Sequence, residues 1–408
     1  MWNMASDIFL ISIYGDDKPW VTASVTEILG RYKATILDVG QADIHHTLSL
    51  GFLVKMDDSE HSGTILKDIL FKCYELGVQV RFTPVSVEEY DNWVERQGKH
   101  RYVVTMLGHI ITAHQMALVT KVVAEQEMNI DSIKRLTGRP SLDEEDFEHV
   151  RSCIEFSVRG EMMDKQVLAS KLLEISAQEN IDISFQKDDL YRRNRRLICF
   201  DMDSTLIETE VIDELAIRAG VGDKVKEITE RAMRGEIDFC ESFAERVALL
   251  KGLDESVMKD IAENLPITEG LDRLMEVLKR VGYKTAILSG GFTYFGNYLK
   301  QRFGFDYVYA NELEIVDGKL TGRYVGDIVD GKRKAELLRL IAQVENVNIA
   351  QTIAVGDGAN DLPMLATAGL GIAFHAKPKV KQTASQSLST IGLDGILYFL
   401  GFKDSFIS

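Results

Sequence analysis

Two carboxylates, Asp201 and Asp203, close a short apolar run, Leu197-Ile198-Cys199-Phe200, within the stretch ICFDMDSTLIETE. Residues two apart on an extended segment point the same way, so these acids would share one space. Like charges tolerate that arrangement when a cation neutralises them. Two further apolar runs end in polar clusters: Ser289-Gly290-Gly291, and Gly356-Asp357-Gly358 with Asn360 and Asp361. One such cluster reads equally well as turn chemistry, since Asp, Gly, Ser and Asn favour turns. Three, each directly after a buried-type strand, point to one pocket. Hard oxygen ligands suit Mg²⁺, which takes one or two carboxylates and keeps several waters. Asp357 could complete that site. Cys and His are absent from all three clusters, which argues against zinc.

A Mg²⁺ site beside a free carboxylate, a hydroxyl, an amide and a lysine suits phosphoryl transfer. Asp201 would attack phosphorus and carry an aspartyl-phosphate. Asp203 would protonate the leaving oxygen and later activate water. The Ser289 hydroxyl and the main-chain N–H groups at Gly290 would hold phosphate oxygens, and a lysine would neutralise the remaining charge.

The elements that must position these groups follow from the pattern after Leu197. Short apolar runs (RLICF, YKTAILS, DYVYA, QTIAVG) alternate with helical ones, as in a parallel sheet flanked by helices. Ligands of such sheets sit outside the carboxyl ends of the strands. A mainly helical insertion runs from about 210 to 265. The first half carries two similar stretches, one from DIFLISIYG and one from YVVTMLG. Each reads β-α-β-β-α-β, the ferredoxin-like unit. Between the halves, DDLYRRNRR (188–196) reads as a solvated linker with four arginines. The expected divisions are therefore 1–90, 91–187, the linker 188–196, and 197–408.

The motifs resemble a known family. DMDSTLIETE is similar to the first motif of the haloacid dehalogenase superfamily, ILSGGF to its second and VGDGANDLPML to its last. The nearer resemblance is to the phosphoserine phosphatase family, over Leu197 to about Leu400. The first half resembles tandem ACT domains, ferredoxin-like modules that often bind amino acids. The implied fold class is α/β: a Rossmann-like parallel sheet of haloacid dehalogenase type with a helical cap, preceded by two ferredoxin-like α+β domains.

The resemblance also implies roles. Asp201 corresponds to the nucleophile and Asp203 to the acid/base, with Thr205 a supporting residue of the same motif. Mg²⁺ would be held by Asp201, by Asp203 through its main-chain carbonyl, and by Asp357. Ser289 and Gly290 correspond to phosphate binders. RKAELL selects Lys334 for the lysine, with Lys332 the local competitor. Asn360 matches a substrate-side amide, and Asp361 a supporting carboxylate. In the cap, Glu210 would read the serine amino group and Arg246 its carboxylate, a pairing that suits a zwitterion. Met233 and Phe239 would be apolar walls. Alone, Glu210 and Arg246 would read as solvated helix residues, and Met233 and Phe239 as core. ACT-like modules bind amino acids near strand-helix turns, which selects Gly15, Asp16 and Asp17, and Gly108 with His109. The other reading of both glycines is plain turn formation.

The expected activity is Mg²⁺-dependent hydrolysis of O-phospho-L-serine, the last step of serine biosynthesis. A phosphotransferase or a phosphatase for another small ester is the alternative among enzymes. Dehalogenation fits less well, since members doing it lack the carboxylate at Asp203. A catalytically silent amino-acid sensor is the alternative outside enzymes.

Composition agrees with these expectations. The 408 residues carry a net charge of −16, which argues against general nucleic-acid binding. The 4 cysteines form no CxxC pattern, so a reducing cytosol is expected. The start, MWNMASDIFL, reads without a signal peptide, and no apolar run suits a membrane span. A cytoplasmic homodimer or higher oligomer, with serine as effector of the first half, completes the expectation.

Overall fold

The computed structural model describes residues 7–56, 62–97, 100–139, 150–384 and 386–407. The first six residues, on which the reading of the chain's start partly rests, lie outside this set. The chain divides into two units, 1–99 and 100–408.

The first unit holds strands β1 (Asp7–Asp16), β2 (Thr35–Ile44), β3 (Thr47–Met56) and β4 (Gln79–Val85), antiparallel in the order β2-β3-β1-β4. Helices Val21–Arg31 and Ser62–Leu76 complete β-α-β-β-α-β. Period-two alternation on β3 buries Leu48, Leu50, Phe52, Val54 and Met56 against Val25, Leu29 and Ile69. A further helix, Val87–Gln97, follows, so the division expected at 90/91 falls inside a helix. Its start carries the pattern Ser86-x-x-Glu89. The Glu89 N–H donates to Ser86 Oγ (3.1 Å) and the Ser86 N–H to Glu89 Oε2 (2.8 Å), a capping box.

The second unit begins with the same topology: β5 (Arg101–Gly108), β6 (Asn129–Arg135), β7 (Ser152–Arg159) and β8 (Asp182–Lys187), in the order β6-β7-β5-β8. It continues into a seven-stranded sheet of β9 (Leu197–Phe200), β10 (Lys284–Phe292), β11 (Tyr307–Val316), β12 (Lys319–Val325), β13 (Thr352–Gly356), β14 (Leu370–Phe374) and β15 (Gln386–Leu388). The order is β12-β11-β10-β9-β13-β14-β15, parallel except for the β11–β12 hairpin. β9 is central and buried on both faces, which explains its unbroken apolar sequence. The expected Rossmann-like architecture is therefore present.

The insertion between β9 and β10 forms the helical cap, with helices Val211–Arg218, Gly222–Met233, Phe239–Ala248 and Ser256–Glu263. Its two connections run side by side. Ile207 bridges Ile267, the Glu208 N–H donates to Pro266 O (2.9 Å) and the Thr268 N–H to Leu206 O (3.1 Å).

The stretch 188–196 is only partly the solvated linker its charges suggested: Arg193 and Arg196 are exposed. Arg192 and Arg195 are buried. Arg192 Nη2 pairs with Glu155 Oε2 (2.7 Å), and Arg195 Nη1 donates to the carbonyls of Ala350 and Thr352 (both 3.3 Å). A guanidinium is buried where carboxylate and carbonyl acceptors match its fork, and sequence charge alone does not reveal them. The second ferredoxin-like sheet is joined to the larger one. Asp182 accepts from the Ser389 and Thr390 N–H groups (2.7 and 2.9 Å), and the Gln386 amide pairs with both backbone groups of Phe185 (3.0 and 2.8 Å). Leu107, Leu136 and Cys153 belong to one apolar core with Leu393, Ile396 and Phe399. Among the described residues no helix is long and apolar enough to cross a membrane.

Candidate active site

The residues of the three expected motifs converge at the carboxyl ends of β9, β10 and β13. The Asp201 N–H donates to Val355 O (2.9 Å), which extends the ladder one residue beyond β9 and sets the carboxylate at the sheet's edge. Lys334 lies in the first turn of helix Gly331–Val344, whose cap Asp330 accepts from the Arg333 N–H (2.7 Å). Its side chain is fully buried, with Nζ 2.9 Å from Asp201 Oδ1 and 2.7 Å from Asp361 Oδ1. Lys332 is exposed, so the structure selects Lys334 of the two. Asp361 Oδ2 accepts from the Gly358 N–H (2.9 Å), and Asp357 Oδ1 accepts from Thr205 Oγ1 (3.2 Å). Asp201, Asp357 and Asp361 bring carboxylate oxygens within 4.8 Å of one another.

One lysine cannot balance these acids. Burial, followed by the nearby Asp361, pushes Asp201 well above the usual carboxylate range. Burial and the charge of Asp361 push Asp357 up to about 7. Lys334 behaves oppositely: burial works against its charge, but Asp201 and Asp361 outweigh it and raise its pKa. An all-oxygen, electron-rich donor set with surplus negative charge fits a hard divalent cation.

The Asp203 carboxylate stands apart from that trio. Its Oδ1 accepts from the Val211 N–H at the start of the first cap helix (2.9 Å), and its Oδ2 is 3.5 Å from Ser289 Oγ. Burial, then the charge of Glu210, raises it to about 8. The chain turns away from extended geometry here. Ser204 has φ 55°, a strained value for a side-chain-bearing residue. Two glycines near the carboxyl end of β10 admit this packing. A Cβ on Gly291 would stand 2.3 Å from Asp203 Oδ2, and one on Gly290 would stand 2.9 Å from Phe239 Cζ. Phe239 thus covers the Gly290 loop from the cap.

The other cap residues are placed unevenly. Glu210 is exposed and accepts from Ser204 Oγ (3.2 Å). Arg246 is half-buried, donates through Nε to Ser242 O (3.3 Å), and lies in the field of Glu210, Asp213 and Asp203. Met233, at the end of its helix, is 68% exposed and does not wall the site in this structure. A terminal-turn residue followed by Arg234-Gly235 has little to pack against. Asn360 is half-buried beside the start of the Lys334 helix. Gly15 packs on Val78 and Gly108 on Ile181, while the Asp17 N–H donates to His46 O (2.7 Å). Gly108 does not belong to the Asp–Lys cluster. Sequence reading missed Ser204, which holds Glu210, and Asn311, buried between the Gly290 carbonyl and the Val329 N–H. A polar residue closing the apolar run YVYA was the available signal for Asn311.

Comparison with known proteins agrees with this geometry. The family of haloacid dehalogenase-like hydrolases matches residues 195–369, and ACT domains match 7–83 and 100–186. The chain is 39% identical over 401 residues to the phosphoserine phosphatase of Streptomyces coelicolor, covering 98% of this chain and 94% of that one. It is 39% identical over 393 residues to that of Mycobacterium tuberculosis, covering 96% and 92%. A crystal structure of the "probable phosphoserine phosphatase" of Vibrio cholerae, unliganded, superposes with a TM-score of 0.59 at 38% identity, covering 75% of this chain and 87% of that one. With its hydrolase site built on this fold and relatives matched along nearly the whole length, the chain belongs to the phosphoserine phosphatase family of haloacid dehalogenase-like hydrolases, with two ACT domains ahead of the hydrolase domain.

Proposed function

We propose that the protein hydrolyses O-phospho-L-serine to L-serine and phosphate through an aspartyl-phosphate on Asp201. The observation that carries this reading is Lys334, buried between Asp201 and Asp361 at the mouth of the sheet. Asp201 Oδ1 is engaged by Lys334 and by the Met202 N–H (2.7 Å). Oδ2, with no hydrogen-bond partner among the described residues, attacks phosphorus, and the bond from phosphorus to the serine oxygen breaks. Asp203 gives its proton to that oxygen. Burial and the charge of Glu210 raise this carboxyl's pKa, the direction a general acid requires. In the second half, Asp203 takes a proton from water. The water oxygen attacks phosphorus, the bond to Asp201 breaks, and phosphate leaves.

Ser289 and the Gly290 backbone hold the phosphoryl oxygens, and Lys334 offsets their charge. Asn360 lies on the substrate side. In the cap, Arg246 grips the substrate carboxylate, Glu210 receives its ammonium, and Phe239 excludes water above the loop. Asp201, Asp357 and the main-chain carbonyl of Asp203 would hold Mg²⁺, with Asp361 in support; the bound cation neutralises the carboxylates and polarises the phosphoryl group. The reaction would serve as the last step of serine biosynthesis in the cytoplasm. The ACT domains would take an amino acid, serine first, and support a homodimer.

The test is phosphate release from phosphoserine with Mg²⁺, with chelator, and with p-nitrophenyl phosphate, phosphothreonine and phosphoglycerate as competitors. Mg²⁺-dependent turnover that prefers phosphoserine is expected. Metal-independent turnover, or a preference for an ester lacking the amino acid, would overturn the reading.

A further inference from the structure

The Ser289-Gly290-Gly291 end of β10 and the helix bearing Lys334 come from separate stretches of chain, and one buried side chain joins them. Asn311 lies on β11, in register with Phe292 of β10 just past an irregularity in the pairing, and is 2% exposed. Its Nδ2 donates to the Gly290 carbonyl (2.7 Å), and its Oδ1 accepts from the Val329 N–H (2.8 Å). Val329 directly precedes Asp330, the cap of the Lys334 helix, which accepts from the Lys334 N–H through its carbonyl (2.9 Å). The Asn311 backbone is itself held, since its carbonyl accepts from Thr293 Oγ1 (2.9 Å). A carboxamide presents a donor and an acceptor from one rigid plane, and both are used here.

The consequence reaches the phosphate site through one peptide group. The Gly290 carbonyl and the Gly291 N–H share a planar unit, so fixing the carbonyl fixes the direction of the N–H. That N–H donates to Ser289 Oγ (2.9 Å). A serine oxygen that accepts from Gly291 keeps its own proton to donate; here it faces Asp203 Oδ2 at 3.5 Å, a long contact that a phosphoryl oxygen would take over. At the other end, Asn311 sets the height of the Val329–Asp330 turn, and with it the entry of the helix that carries Lys334. An apolar residue of the same size would fill the space but leave the Gly290 carbonyl and the Val329 N–H buried and unpaired, free to re-aim the loop.

We infer that Asn311 is a positioning residue: it aligns Ser289 and the Gly290 loop with Lys334 around the phosphoryl group without touching substrate. The inference rests on the reading of Ser289 and Lys334 as phosphate-binding groups. Their misplacement by a fraction of an ångström to an ångström lowers the rate of the chemical step, and a displacement of this size commonly costs about 100-fold.

The experiment compares Asn311→Ala and Asn311→Asp in the full Mg²⁺-loaded chain. Asp keeps the shape and the acceptor for Val329 but removes the donor to Gly290, so it remains informative where Ala disturbs folding. Three quantities are read: kcat and KM on phosphoserine and on p-nitrophenyl phosphate, inhibition by orthovanadate, and product inhibition by L-serine. Both variants should lose about 10- to 100-fold in kcat and in vanadate affinity, while the L-serine inhibition constant stays within about 2-fold. Serine lacks the phosphoryl group, so general damage to the fold would weaken it together with vanadate. That parallel loss, or a kcat within about 3-fold of wild type, would overturn the inference. The p-nitrophenyl phosphate arm contains no amino acid. A wild-type protein that turns it over but rejects phosphoserine would remove the substrate assignment and leave the Asn311 comparison intact.

Discussion

Where the chain can be cut is decided by its cores. The run of charges at 188–196 suggested a division there, between the first half and the catalytic domain. The structure places that cut through a shared core. Leu107, Leu136 and Cys153, at no more than 4% exposure, pack with Leu393, Ile396 and Phe399. Removing residues 1–187 deletes these three side chains and uncovers their partners. Burial of a Leu-sized side chain stabilises by about 1.5–3 kcal/mol, so two leucines and a smaller cysteine amount to about 4–7 kcal/mol. The same deletion leaves Arg195 without the Gln186 side chain and removes Asp182 from the Ser389 and Thr390 N–H groups. Whole domains are stable by only about 5–15 kcal/mol. A chain of residues 188–408 should therefore be marginal, aggregating or unfolding early in urea. A chain of residues 100–408 keeps this core intact and should unfold cooperatively with full phosphatase activity per folded molecule. The assay is urea denaturation followed by tryptophan-independent circular dichroism, with phosphate release measured on the same samples. If the 188–408 chain unfolds within about 1 kcal/mol of the 100–408 chain, the shared core contributes little and this reasoning fails.

The remaining expectations concern the site. Asp201→Asn should fold normally and lose at least about 10³-fold in phosphoserine turnover, because nucleophile removal leaves only binding and electrostatic effects; near-normal phosphate release, with deamidation excluded by mass spectrometry, would contradict the covalent route. Arg246→Ala should cost about 2–4 kcal/mol in kcat/KM on phosphoserine and much less on p-nitrophenyl phosphate; equal losses would end its role as carboxylate reader. In chelator, pH dependence should run against the usual acid lability. The folded-state values of about 7 for Asp357 and about 8 for Asp203 exceed those of unfolded carboxylates. The native state therefore binds more protons between those limits, and this contribution, fully present below the unfolded values, is lost as pH rises through 7 and 8. Asp357→Asn should accordingly stabilise the metal-free protein more at pH 8 than at pH 5 in thermal denaturation, and a pH-independent difference would contradict it.

The sequence by itself determined which polar groups gather at the mouth of the sheet. Asp201 and Asp357 directly follow buried strands and Ser289-Gly290 lies near the carboxyl end of another, and strands of a parallel sheet end on one side, so local order was enough to bring them together. The two ferredoxin-like units were legible for the same reason, through period-two burial on strands such as β3. What only the tertiary structure decided involves partners far apart in the chain. Lys334 rather than Lys332 points inward because of the helix's rotation against Asp361. Arg195 is buried because the Thr352 carbonyl, 157 residues away, accepts from it. Asp182 meets the Ser389 N–H across 207 residues and joins the second ferredoxin-like unit to the larger sheet. Asn311 lies between two loops that neither its neighbours nor its periodicity announces. Periodicity reports which face of an element is apolar. It does not report which buried polar group will find its complement, because that depends on the summed geometry of every element between them.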